Sequence, residues 1–198
     1  MSALDYITKK GSGIESVFDD LAALRIAVFH DYPYLYEGSI EYEKEYLKTY
    51  SYSKRSFLFA VYDGKKMVGA TTCIPLKDET EEVRKPFEDA GFDIDTVFYF
   101  GESILLPEYR GIGLGHRFFD EREAHVRSFG DYTITCFCSV DRGEHHPAQP
   151  EGYRPNDAFW HKRGYLKEPY LQSFMDWPDI GETESSAKKM IFWVRKLD

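Results

Sequence analysis

The hydrophobic and polar positions of this 198-residue chain change period several times, and each change marks an element. Leu4 to Lys9 reads as a short first strand, closed by Gly11-Ser-Gly13. From Ile14 to His30 the spacing is helical: Val17, Leu21, Leu24 and Val28 form a stripe, with Phe18, Ala22, Arg25 and Phe29 beside it. Pro33 and Gly38 impose a loop carrying Tyr32, Tyr34 and Tyr36. Ser39 is placed to cap a second helix to about Tyr50, with Glu41, Glu43 and Glu45 near its positive end. Phe57 to Tyr62, the turn Asp63-Gly64 and Met67 to Leu76 spell a β-hairpin. Residues 77–95 are polar and acidic; they predict a short helix up to Ala90, ended by Gly91, with a solvated acidic face.

The most informative stretch follows. Val97-Phe-Tyr-Phe-Gly-Glu-Ser-Ile-Leu-Leu106 is an apolar run of strand length, broken at Pro107. A loop then carries Arg110, Gly111, Gly113 and Gly115 before helical spacing puts Ile112, Gly115, Phe119, Arg122 and Val126 on one side. A strand, a glycine-rich loop and a helix start make an anion site. The first helical turn has unpaired N–H groups and a positive dipole end, and glycines allow close approach. Downstream, Tyr132 to Val140 predicts another strand, and residues 141–152 form a polar loop long enough to suggest a lid or acceptor-site role. Asn156 or Asp157 can cap a short helix that Gly164 ends, and residues 165–175 and 189–195 supply closing strands.

Composition narrows the chemistry. Aromatic residues at 17% and hydrophobic residues at 42% fit one globular domain spanning 1–198 with a sizeable core. The net charge of −9 and the lack of a Lys/Arg block argue against nucleic-acid binding. Cys73, Cys136 and Cys138 are an odd set without disulfide spacing, which fits a reducing compartment. Cys136 and Cys138 alternate within a strand and read as core residues. No signal pattern opens the chain and no apolar run has membrane-spanning length, so the expected setting is cytoplasmic, with no membrane partner. His145 and His146 are adjacent and do not project as a metal pair, and no metal is expected.

Two families use such a loop. A dinucleotide-binding site would begin the fold and would follow with a second strand ending in an acid, a part open to Asp141. Too little chain follows for its remaining strands. The order strand, Pro107, Arg110-Gly-x-Gly113-x-Gly115, helix resembles the acyl-CoA loop of the GNAT superfamily of N-acetyltransferases, Gln/Arg-x-x-Gly-x-Gly/Ala. A second segment, Phe159-Trp160-His-Lys-Arg-Gly164-Tyr165, resembles that family's Phe/Leu-Tyr-x-x-x-Gly-Phe. The family often has a tyrosine where this chain has Trp160, placed to protonate the departing CoA sulfur. An indole is no practical general acid, and Tyr153 and His161 are the nearby alternatives.

The resemblance implies an α/β (α+β) fold: a single mixed, mostly antiparallel sheet with helices on both faces. It implies transfer of an acetyl group from acetyl-CoA to a primary amine of a small molecule or peptide, by direct attack in a ternary complex. Backbone groups of Arg110, Gly111, Ile112, Gly113, Leu114, Gly115 and His116 would hold the pyrophosphate. Ser103, Ile104 and Leu105 would pair with pantetheine where two strands splay. The loop of Tyr32, Tyr34 and Tyr36 would form the acceptor wall. Glu102, a carboxylate in an apolar strand, is the candidate base; burial would raise its pKa toward the working pH. The alternative for Glu102 is a structural ion pair, for instance with Arg25. Cys138 as an acylated nucleophile lacks an identifiable basic partner. The competing class is a non-catalytic acyl-CoA-binding module, supported by the missing tyrosine, with a dinucleotide-binding module third. A homodimer stays open.

Overall fold

The hairpin read from the sequence is the middle of the molecule. In the computed structural model, which describes residues 3–197, β2 (Phe57–Asp63) pairs antiparallel with β3 (Lys66–Pro75), from Phe57 opposite Cys73 to Asp63 opposite Lys66. Residues 57–61 and 67–75 are buried without alternation, so both faces of these strands are covered. The outer neighbour of β2 is β1 (Asp5–Lys10).

On the other side, β3 meets the central strand, which the structure divides in two. Its first half, β4 (Val97–Tyr99), pairs antiparallel with the end of β3 and parallel with β6 (Ile134–Val140). Its second half, β5 (Ser103–Leu105), pairs with Gly69–Thr71 of β3. The sheet continues through β8 (Ser186–Lys196) to β7 (Leu166–Trp177), in the order β1-β2-β3-β4-β6-β8-β7. Among the described residues only the β4–β6 step is parallel. The expected mixed, mostly antiparallel sheet is therefore present.

The first helix departs from its predicted start. Residues Gly11–Val17 wind as a 3-10 helix and α1 covers only Phe18–Phe29. The tighter turn puts Ile14 and Val17, three apart, on one side, and both are buried. The second helix, α2 (Ile40–Tyr52), starts as expected, with Ser39 Oγ accepting from the Tyr42 amide at 3.3 Å. The acidic stretch forms α3 (Glu81–Asp89), but it is not only a solvated face: Val83 and Phe87 are buried, and Glu79 just before it is 4% exposed.

The helix after the glycine loop, α4 (Leu114–Arg127), buries Leu114, Phe118, Phe119, Arg122, His125 and Val126. Ile112, assigned to that stripe from spacing, is instead exposed. It precedes the helix, and Gly113 at φ 92° breaks the phase. The last helix, α5 (Asp157–Lys162), is preceded by Asn156, whose side chain makes no capping bond; Gly164 follows the helix at φ 85°. Among the described residues no helix is long and apolar enough to cross a membrane.

Candidate active site

The split in the central strand creates the site. The last β4–β6 bond runs from the Phe100 amide to the Cys136 carbonyl at 2.7 Å. Beyond it β6 follows β8 while the central strand stays with β3. Gly101 donates to Thr72 O at 3.1 Å, Thr72 donates back to Glu102 O at 3.1 Å, and Leu106 donates to Val68 O at 2.9 Å. The two strands diverge, leaving one edge of β5 open. Glycine is required at the branch point: a Cβ on Gly101 would stand 1.9 Å from the Tyr50 hydroxyl and 2.8 Å from Thr72 Oγ1.

A cavity of about 720 Å³ occupies the gap. Ser103, Ile104 and Leu105 line one wall, residues 137–144 another, and Phe159 and Trp160 of α5 a third. At its outer end are Arg110 and Gly115. Arg110 Nε donates to the Leu105 carbonyl at 3.1 Å. Gly111 and Gly113 have φ of 78° and 92°, the left-handed region that a side chain disfavours. The first N–H groups of α4, which follow this turn, have no helical acceptors. Gly111, Ile112, Gly113, Leu114 and His116 do not line this cavity themselves. The Leu114 side chain is buried in the core, and the His116 ring packs edge-on against Phe159, centroids 4.9 Å apart.

A second cavity, about 390 Å³, lies beyond the inner end. Tyr34, Tyr36, Tyr42, Tyr46, Tyr99 and Trp177 wall it, with Met175 and Met190. Among the described residues its charged lining is Glu43, Glu82, Glu102 and Asp176 against one cation, Arg25. The two cavities share Phe29, Tyr34, Gly101, Glu102 and Cys138. Of the three loop tyrosines, Tyr32 lines the first cavity, Tyr36 the second and Tyr34 both. Arg142 fixes this loop: its guanidinium donates to Pro33 O at 2.7 Å, to Tyr34 O, and to both oxygens of Asp179 at 2.7 and 2.8 Å.

Glu102 is 4% exposed at the junction. Oε2 pairs with Arg25 Nη1 at 2.8 Å, while Oε1 is buried with no hydrogen-bond partner among the described residues. Burial raises the carboxyl's pKa, and Arg25 and the nearby Thr72 hydroxyl pull the other way. Arg25 is also bonded to Glu43, and its ring neighbours are Phe29 and Tyr46 at 5.0 and 4.8 Å. Burial works against the Arg25 charge, but Glu102 and Glu43 together hold its pKa well above the usual value.

Cys138, expected in the core, is half-buried and faces the junction. Its Sγ and the Tyr99 hydroxyl hydrogen-bond at 3.1 Å, and burial pushes the thiol up to about 12. A thiol so protonated is a poor nucleophile at neutral pH. Trp160 packs edge-on against Phe137 and Trp193, with ring centroids 5.1 and 5.0 Å apart, as a half-buried wall. Tyr153 lines the first cavity, whereas His161 is exposed against Trp193 and lines neither. Among the described residues no group of three or more His, Cys, Asp or Glu could hold a metal.

The sequence reading missed Tyr46, Glu82, Arg142 and Trp177. Tyr46 carried a signal, sitting four before buried Tyr50 on the α2 face; the others had none, because distant segments bring them in.

No family model matches the sequence, and neither does any curated protein. Solved structures do. An acetyltransferase of the GNAT family from Streptococcus pneumoniae superposes with a TM-score of 0.57 at 12% identity, over 98% of this chain and 100% of that one. The fold is that of the GNAT acetyltransferases. An N-acetyltransferase from Staphylococcus aureus Mu50 gives a TM-score of 0.62 at 10% identity, covering all of both chains. The PaiA N-acetyltransferase from Thermoplasma acidophilum, solved with coenzyme A, gives 0.53 at 10%, over 98% of this chain and 99% of that one.

Proposed function

We propose that this protein transfers an acetyl group from acetyl-CoA to the primary amine of a small-molecule or peptide acceptor. The observation that carries the reading is the pair of cavities meeting at Gly101 and Glu102. One has at its far end a helix start whose first amides lack helical acceptors, and an open strand edge along its wall. The other is aromatic and acidic. The coenzyme A held by the Thermoplasma relative supports assigning the first to the cofactor.

Phosphates would bind the amides of residues 111–116, with Arg110 beside them. The pantetheine arm would run along Ser103–Leu105 and bring the thioester to the junction. An ammonium entering the second cavity is favoured by its acidic lining and by ring faces that attract cations. Glu102, whose Oε1 lies outside the Arg25 ion pair, takes the amine's proton. The neutral nitrogen then attacks the thioester carbon; a C–N bond forms, the C–S bond breaks with its electron pair leaving on sulfur, and the nitrogen gives up its second proton to water. Holding both reactants at one junction supplies most of the acceleration.

Direct attack is favoured over an acyl-Cys138 intermediate, because that thiol is held protonated by burial. Initial rates with acetyl-CoA and amine varied together test this. Intersecting lines are expected; parallel lines, with acetyl found on Cys138 by mass spectrometry, would replace the ternary complex with a two-step route.

A further inference from the structure

The reading above leaves the departing thiolate without a proton donor at Trp160. The structure holds a charged group in the lining of the same cavity. Arg122, on α4, lines that cavity and is 2% exposed. Its guanidinium carbon lies 4.2 Å from the Phe100 ring centroid and 4.6 Å from that of Phe119. Nε donates to the Phe118 carbonyl at 3.2 Å and Nη1 to the Glu102 carbonyl at 3.4 Å. Nη2 is buried and has no hydrogen-bond partner among the described residues, and no ion pair to Arg122 is found among them.

Position is the first argument. Phosphates at Arg110 and Gly115 put the other end of the arm, with its sulfur, at the branch point. Phe100, Glu102 and Phe119 line the same cavity as Arg122, Phe100 and Glu102 flank the branch point at Gly101, and the guanidinium reaches both rings and the Glu102 carbonyl. Cost is the second. A buried cation without a counter-ion is expensive, and such groups concentrate where a ligand supplies the missing charge. An anion appears at this point only when the C–S bond breaks.

We propose that Arg122 is the electrostatic stabiliser of the coenzyme A thiolate, replacing a general acid; this rests on the acetyl-CoA reading of the cavity. The C–S electron pair leaves as thiolate beside the guanidinium, no proton moves from protein to sulfur, and the thiolate is protonated by water after release. Burial lowers the Arg122 pKa to about 10, so the group stays charged at neutral pH. The groups that act on it from the surrounding elements are Tyr165 just before β7, Cys73 of β3, Glu123 of α4, and Glu102. Glu123 is engaged by Arg163 and Arg195, each at 2.9 Å.

The test needs no acceptor. Coenzyme A is bound to the protein, checked by calorimetry, and its thiol is titrated by ultraviolet thiolate absorbance. In the wild type the bound thiol should be at least tenfold more acidic than in free coenzyme A, about one pH unit. Arg122→Met should return it to the free value or above while coenzyme A stays bound through its phosphates. A wild-type thiol titrating at or above the free value overturns the proposal, whether or not the variant folds. So does an Arg122→Met thiol as acidic as the wild type's. If Arg122→Met does not fold, Arg122→Gln, which keeps a donor and loses the charge, is held to the same two outcomes. Failure of coenzyme A to bind the wild type would instead remove the cofactor reading itself.

Discussion

Arg25 Nη1 lies 2.8 Å from Glu102 Oε2, while Glu102 Oε1, equally buried, has no hydrogen-bond partner among the described residues. The ion pair and the proton-accepting role are therefore not exclusive: Arg25 uses one oxygen and leaves the other for an amine. Arg25 is itself divided between Glu102 and Glu43, so the cluster of two carboxylates and one guanidinium carries an excess negative charge toward the acceptor cavity.

Glu102→Gln keeps the shape and removes the charge. It is expected to lower kcat/KM by about 10²–10⁴ while leaving acetyl-CoA affinity nearly unchanged. A base must be ionised to work, so wild-type activity falls as pH drops through the Glu102 pKa. Burial moves that limb above the ordinary carboxylate range, and Arg25 limits the rise. The variant's pH–rate profile should lack the limb. Wild-type turnover in the variant, or a variant that only unfolds, would make Glu102 a structural partner of Arg25.

Gly113→Val and Gly115→Val should each weaken acetyl-CoA binding at least tenfold by calorimetry, for different reasons. Valine at φ 92° costs on the order of 1–3 kcal/mol and distorts the turn that presents the amides. At Gly115 the Cβ itself fits, 3.6 Å from Phe159, but the branches of valine would enter the cavity mouth. Unchanged affinity in folded variants would move the phosphate site elsewhere.

Much of this site could be read from residue order, and the limits follow from what order encodes. The glycine loop and Glu102 declare themselves because their chemistry conflicts with a simple strand–helix pattern. Arg25 stood out for the same reason, a cation beside an apolar helical stripe. Glu82 did not: among Glu79, Glu81, Glu82 and Glu88 it looks like one more solvated acid. It joins the acceptor cavity only because α3 packs on β7, where Ser173 Oγ donates to Glu82 O at 2.6 Å. The division of the central strand was equally hidden. The first half is buried throughout and only the second alternates, with Glu102, Ile104 and Leu106 buried, and which neighbour leaves at Phe100 is a matter of partner strands.

Trp160→Phe should leave the shape of the pH–rate profile unchanged, with at most a few-fold loss of rate from thinner packing against Phe137 and Trp193. Disappearance of a titrating limb would show that the indole supports an acid–base group after all.

Arg142→Ala removes the guanidinium that ties the tyrosine loop to Asp179. The pair is largely buried, yet Asp179 keeps Lys188 at 3.5 Å. A loss of about 2 kcal/mol in urea unfolding is expected, below the full cost of breaking an isolated buried pair. Because Tyr34 and Tyr36 line the acceptor cavity, KM for the amine should rise more than KM for acetyl-CoA. A variant as stable as wild type would mean that the loop is held by Trp177, whose Nε1 donates to Tyr34 O at 3.1 Å.

The most direct measurement is free-thiol release from acetyl-CoA by the wild-type protein across a panel of amines and peptide N-termini, with the acetylated product identified by mass. The account predicts thiol release that requires an amine, is saturable in it, and yields an N-acetyl product in equal amount. Tight acetyl-CoA binding in calorimetry with no amine-dependent release anywhere in a broad panel would contradict it and make the chain an acyl-CoA-binding module.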